Sequence, residues 1–203
     1  MLTVAKVTRT NPNIFSVVAK GLGALDGLQA KAGWFQSAVY GNGKPVAYIA
    51  MIQEYGATIS HPGGTPYVIT SDGMARFVSK SSPQAAGLPV TKAHTITIPP
   101  RPFMRPTVSR EKNNWLKMLE SGAKAVLAGK ISAKDVLDTV AARAAKDIAK
   151  TIASIQSPPL ARSTIQKRIT RKSSKAVTAT LTKPLVDTGI MITSVTHVVE
   201  KAE

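Results

Sequence analysis

The side chains that could move a proton, hold a metal or form a covalent intermediate are few and dispersed. His61, His94 and His197 stand apart in sequence, with no second histidine or carboxylate at the spacing a zinc site uses. Cysteine is absent, which excludes disulfides, thiolate catalysis and cysteine metal sites. Of eleven acidic residues, five fall between positions 111 and 156, and no two stand out as a general acid and base. There is no Gly-x-Ser-x-Gly elbow and no phosphate loop. Gly21-Leu22-Gly23 is a glycine pair without the rest of a dinucleotide fingerprint. The expectation is a protein without enzymatic activity, cofactor or metal, acting through the surfaces it presents.

The chemistry that does stand out is recognition. The stretch Ile98-Pro99-Pro100-Arg101-Pro102-Phe103-Met104-Arg105-Pro106-Thr107 holds four prolines in ten residues. Proline lacks a backbone donor and fixes φ, so this stretch must run extended and stiff. Arg101 and Arg105 offer forked donors suited to carboxylates or phosphates, and Phe103 offers an apolar anchor. Glu54 lies on the narrow polar arc of an otherwise apolar helix. It is expected to pair with Arg101 and so lock that helix to the proline-rich connector.

Elements must position these residues. Pro45 sits where a first helical residue belongs and Gly56 where a C-terminal cap belongs, which frames a short helix from Val46 to Tyr55. Its apolar side chains cover nearly the whole circumference, so it should be sandwiched between a sheet and a neighbour. Residues 3–8 read as a short strand, Asn11 to Gly33 has rough helical spacing, and Trp34 to Tyr40 reads as a strand ended by Gly41-Asn42-Gly43. Tyr67 to Thr70 and Met74 to Lys80 flank a turn and predict a β-hairpin. Thr91 to Ile98 returns as a strand.

Two amphipathic helices follow. The first carries Val108, Trp115, Leu116, Leu119, Ala123, Val126 and Leu127 on one face and ends at Gly129. The second starts at a Ser132/Asp135 capping box and carries Val136, Leu137, Val140, Ala144, Ile148, Ile152 and Ile155. The short link makes them an antiparallel hairpin with arms about 30 Å long. Residues 157–187 are rich in Ser, Thr, Lys and Arg and read as an extended arm, with a helical turn at 163–168. Leu185 to Gly189, including Asp187, Thr188 and Gly189, is a turn, and Ile190 to Val199 reads as a closing strand. The fold class is therefore α+β: a small antiparallel β-sheet packed against helices, with a long helical hairpin and an inserted β-hairpin. It is expected to form a single domain over 1–203, with the insertion at about 63–91 and the basic arm at about 157–187.

The net charge of +16 over 203 residues is the strongest bulk signal. Residues 157–187 carry seven bases against one acid, whereas 111–156 carry eight against five, so the excess lies in the segments flanking the helices. Such a surplus attracts a polyanion or an acidic protein. A nucleic-acid-binding protein gripping phosphates through 157–187 is thus a second reading. The arm holds no aromatic residue, so stacking on bases is poorly supported. No run of about 18 apolar residues is present, and the N-terminus lacks the apolar core of a signal peptide, so neither membrane insertion nor export is expected.

Four pieces then line up in order: Ile52-Gln53-Glu54-Tyr55-Gly56-Ala57-Thr58, Ile98-Pro99-Pro100-Arg101-Pro102-Phe103, Ser163-Thr164-Ile165-Gln166-Lys167 and Pro184-Leu185-Val186-Asp187-Thr188-Gly189-Ile190-Met191-Ile192-Thr193-Ser194. The set, over roughly residues 30–199, resembles the neck proteins of tailed bacteriophages, variously called head–tail joining, tail-completion or minor tail proteins. The resemblance implies an α+β protomer that assembles as a homo-oligomeric ring in the head–tail neck of the virion, after synthesis in the host cytoplasm. Its implied partners are the portal or adaptor complex and the tail-tube or tail-terminator proteins, with non-specific DNA contact in the channel. It implies no catalysis and no cofactor. Glu54, Gly56, Arg101, Pro102, Phe103, Arg105, Asp187, Thr188 and Gly189 become candidate structural or interface residues.

Overall fold

A computed structural model describes residues 27–71, 73, 75–171 and 181–202. The strand expected at 3–8 and most of the helical spacing from Asn11 lie outside these residues. The protein is α+β, with three two-stranded antiparallel sheets and a long helical hairpin among the described residues. The chain divides into two compact units interleaved in sequence. One gathers 27–38, 104–151 and 193–202; the other gathers 39–103 and 152–192.

In the first unit, β1 (Leu28–Gly33) pairs antiparallel with β6 (Thr196–Lys201), from Leu28 opposite Lys201 to Gly33 opposite Thr196. This corrects two expectations. Residues 28–33 are strand rather than helix, and Trp34 to Tyr40 is irregular except for a bridge between Val39 and Pro45. The aromatic and β-branched residues after Trp34 suggested a strand, but pairing is decided by the available partner edge. The predicted turn at 41–43 does form, closed by Gly43 N–H to Tyr40 O (2.8 Å) and Tyr40 N–H to Lys44 O (2.9 Å).

The helical hairpin consists of α2 (Met104–Leu127) and α3 (Ala133–Ser154). Gly129 takes φ +69°, with Gly129 N–H to Val126 O and Lys130 N–H to Ala125 O, both 2.9 Å. This paired bonding is the Schellman arrangement, and it satisfies carbonyls the ending helix would otherwise orphan. Ser132 Oγ accepts the Asp135 N–H (3.1 Å) and donates to the Asp135 carboxylate (2.6 Å), so the capping residues act as expected. Toward the open end, Trp115 Nε1 donates to Asp147 (3.0 Å) and Thr107 Oγ1 donates to Thr151 Oγ1 (2.6 Å), which fixes the antiparallel register. Val126, Ala133 and Val136 form a buried cluster, with Leu28 of β1 and Leu119 packed against it.

The hairpin arms lie close together at Gly122, where an added Cβ would overlap Val136 Cγ1. Alanine is intrinsically better than glycine in a helix by about 1 kcal/mol. Here the clash should win, because Val136 is buried and its β-branched side chain has little rotamer freedom. Gly122→Ala is expected to destabilise the protein by about 2 kcal/mol, and Val136→Ala in the same chain should relieve the clash. Urea unfolding of the two single variants and the double variant tests this. A gain in stability from Gly122→Ala alone would contradict the packing.

In the second unit, α1 (Val46–Tyr55) begins after Pro45 and ends on Gly56 at φ +76°. It buries Val46, Ala50 and Glu54, while Tyr48, Met51 and Tyr55 are all more than half exposed. So α1 is covered on one side rather than sandwiched, and the arc read as polar is the one that faces inward. β2 (Ala57–His61) pairs antiparallel with β5 (His94–Ile98), and β3 (Tyr67–Ile69) with β4 (Ala75–Phe77) as the predicted hairpin. A 3-10 turn follows at Pro83–Ala85. α4 (Arg162–Arg171) occupies the start of the expected basic arm, as more than the single turn foreseen. Ile190 to Thr193 is one helical turn, α5, not the start of the closing strand. Gly189 at φ +79° redirects the chain there, Ile192 N–H bonds Gly189 O (3.0 Å) and Met191 is buried.

Candidate functional site

The proline-rich junction removes backbone donors at positions 99, 100 and 102, so the N–H groups of Arg101 and Phe103 must find acceptors nearby. Both find them at the end of α1. Arg101 N–H bonds Gln53 O (2.6 Å), and Phe103 N–H bonds the Glu54 carboxylate (2.6 Å). Gly56 makes the approach possible: a Cβ there would lie 2.8 Å from Ile98 O and 3.1 Å from Pro100. Phe103 is fully buried, Arg101 is buried, and Pro102 is exposed.

The expected Glu54–Arg101 pair is thus corrected: Glu54 holds the Phe103 N–H, and α1 is fastened to the junction by that bond instead. Arg101 directs its guanidinium to Pro158 O (2.8 Å), Pro159 O (3.0 Å) and Gln53 Oε1 (3.2 Å). The consecutive prolyl carbonyls form an acceptor pair that matches the planar fork of an arginine. Arg105 lies exposed in the first turn of α2, in the other unit.

Beside the junction opens a cleft of about 1110 Å3. Arg101, Gln53, Lys44, Tyr40, Asp187 and Thr188 all line it. Arg168 of α4 also reaches it and was not anticipated. It is buried, its Nη1 donates to the carbonyls of Leu181 (3.3 Å), Lys183 (2.8 Å) and Val186 (3.2 Å), and its Nε lies 3.5 Å from Asp187. The turn holding Asp187, Thr188 and Gly189 is thus gathered around one guanidinium. Burial and the neighbouring charge of Arg168 lower the pKa of Arg101, but a guanidinium stays charged across any working pH. Burial, and then Asp187, push the Tyr40 phenol above its ordinary value, so it remains a neutral donor and acceptor.

One pairing was invisible in the sequence. The β2–β5 register sets His61 opposite His94, with stacked rings 5.0 Å apart. His61 Nδ1 accepts the Gly63 N–H (3.0 Å), so in the neutral ring Nε2 carries the proton. His94 Nδ1 donates to Lys92 O (2.8 Å). Only His94 thus keeps a lone pair for a metal, which makes the pair a packing feature of the ribbon rather than a ligand set. A second cleft, about 500 Å3 and mainly apolar, lies in the first unit among Ala30, Ala32, Val108, Trp115 and Leu137. No helix among the described residues is long and apolar enough to cross a membrane. Comparisons with protein-family models, with curated proteins and with solved structures each find no match to the chain.

Proposed function

We propose that this chain is a structural subunit of the tailed-bacteriophage neck, a brick of a homo-oligomeric ring that joins or completes the tail at the portal or adaptor complex. The observation that carries the reading is convergence. The pieces around Glu54-Tyr55-Gly56 and Arg101-Pro102-Phe103 lie far apart in sequence yet build one joint, and Gln53, Arg101, Ser163, Thr164, Asp187 and Thr188, drawn from all four pieces, line the cleft beside it. A stiff joint of this kind sets the angle between a helix and a strand ribbon, which is the demand on a subunit that must repeat identically around a closed ring. The exposed Tyr48, Met51 and Tyr55 on α1 add the aromatic and methionine surface typical of interface centres.

Electron microscopy of the purified chain in moderate salt without DNA tests the proposal, and ring-shaped particles are the expected result. The basic surplus favours one alternative, phosphate binding through residues 157–187. A monomer that retards DNA at physiological salt, with affinity falling steeply as salt rises, would replace the neck reading by that one.

A further inference from the structure

We infer that the cleft beside β5 receives an extended, acidic segment of a partner protein, added as a third strand to the open edge of the β2–β5 ribbon. The inference rests on the neck reading only for the premise that this face docks something, and it names what docks. A two-stranded ribbon is marginal by itself in water, and an open strand edge is normally protected by charge, proline or a bulge. This ribbon has none of these within its strands. β2 and β5 contain no charged residue and no proline, and they pair over five consecutive positions. The cross-strand pair Ile59 and Ile96 is 44% and 39% exposed, so the apolar side of the ribbon is also incompletely covered.

Among the described residues, the cleft marks which edge of the ribbon is open. Ile96, Thr97, Ile98 and Pro99 line it in succession and no residue of β2 does, so the opening flanks the side of β5 turned away from β2. Charge selects the occupant. The unit spanning 39–103 and 152–192 carries twelve Lys and Arg residues against three Asp and Glu residues. Of its described carboxylates, Glu54 is buried on the Phe103 N–H and Asp187 pairs with Arg168. Lys44, Arg101 and Arg168 line the cleft with Asp187 as the one carboxylate among its described lining residues. Added strands bind through main-chain bonds and take specificity from alternate side chains, so glutamate or aspartate on alternate positions would meet this field.

The test uses the isotope-labelled 203-residue chain and three synthetic heptapeptides. The first alternates glutamate with valine and threonine, the second has glutamine for each glutamate, and the third is the first with N-methylated backbone. The expected result with the glutamate peptide is slowed exchange of those amides between Thr95 and Ile98 that point away from β2, with about tenfold weaker binding of the glutamine peptide and no protection with the methylated one. Lys44→Glu should weaken the glutamate peptide about tenfold. Four results would overturn the inference: no protection at millimolar peptide, equal binding of the first two peptides, the same protection from a short DNA duplex, or protection that rises with protein concentration alone. The last would assign the edge to a second copy. Ring formation is read without any peptide, so the neck reading and this inference can fail separately.

Discussion

Replacing Arg168 with methionine should lower the unfolding free energy by about 4 kcal/mol, within the range for removing one partner from a buried charged network. Arg168 is 7% exposed, so water cannot take over its contacts. Its loss strands the carbonyls of Leu181, Lys183 and Val186, which all converge on Nη1, and leaves Asp187 without the guanidinium 3.5 Å away. The carbonyl bonds outweigh the ion pair. Asp187 is about a third exposed and the pair is long, so solvent screens it, whereas three partly buried carbonyls lose their shared donor at once. Arg168→Lys separates the two contributions. Lysine keeps the charge but lacks the planar fork, so it should recover only part of the loss, to about 2 kcal/mol below the parent. Urea denaturation followed by circular dichroism gives both numbers. A methionine variant within about 1 kcal/mol of the parent would mean that Arg168 does not organise this turn.

What was legible in the sequence was local. Pro45 and Gly56 bracket α1 because one lacks a donor and the other adopts φ +76°, facts that belong to those residues alone. Gly129, Ser132 and Asp135 mark the hairpin ends for the same reason, as does the turn between β3 and β4. What was not legible depends on partners distant in the chain. β1 reads Leu-Gln-Ala-Lys-Ala-Gly, a poor strand sequence, and is a strand because β6 lies opposite, with Leu28 against Lys201. The inward aim of Glu54 comes from the Phe103 N–H, 49 residues later. Arg168 sits in a segment whose composition suggested a solvated arm, and nothing in that segment announces that carbonyls from Leu181 to Val186 will close over it. The His61–His94 stack needs the β2–β5 register before it exists at all. The site was thus legible as a set of residues and not as a set of bonds.

The same distinction predicts how Glu54 responds to substitution. If Glu54 were a solvated residue at a helix end, both Glu54→Gln and Glu54→Ala would change stability by less than about 0.5 kcal/mol. The observed position, 3% exposed and accepting the Phe103 N–H at 2.6 Å, predicts a graded series instead. Glutamine retains a carbonyl oxygen that can accept that N–H, so only the charge-assisted part is lost, about 1 kcal/mol. Alanine leaves no acceptor. Phe103 is fully buried, so its N–H would be stranded beside a cavity, and the loss should reach about 3 kcal/mol. The junction itself should loosen, because Phe103 N–H is one of the two backbone donors that the prolines leave between Pro99 and Phe103, and the other, on Arg101, already bonds Gln53 O. Amide exchange at Phe103 reads this directly: it should accelerate strongly in the alanine variant and modestly in the glutamine variant. Equal exchange in all three proteins would show that the carboxylate is not what fastens α1 to the strand-to-helix junction.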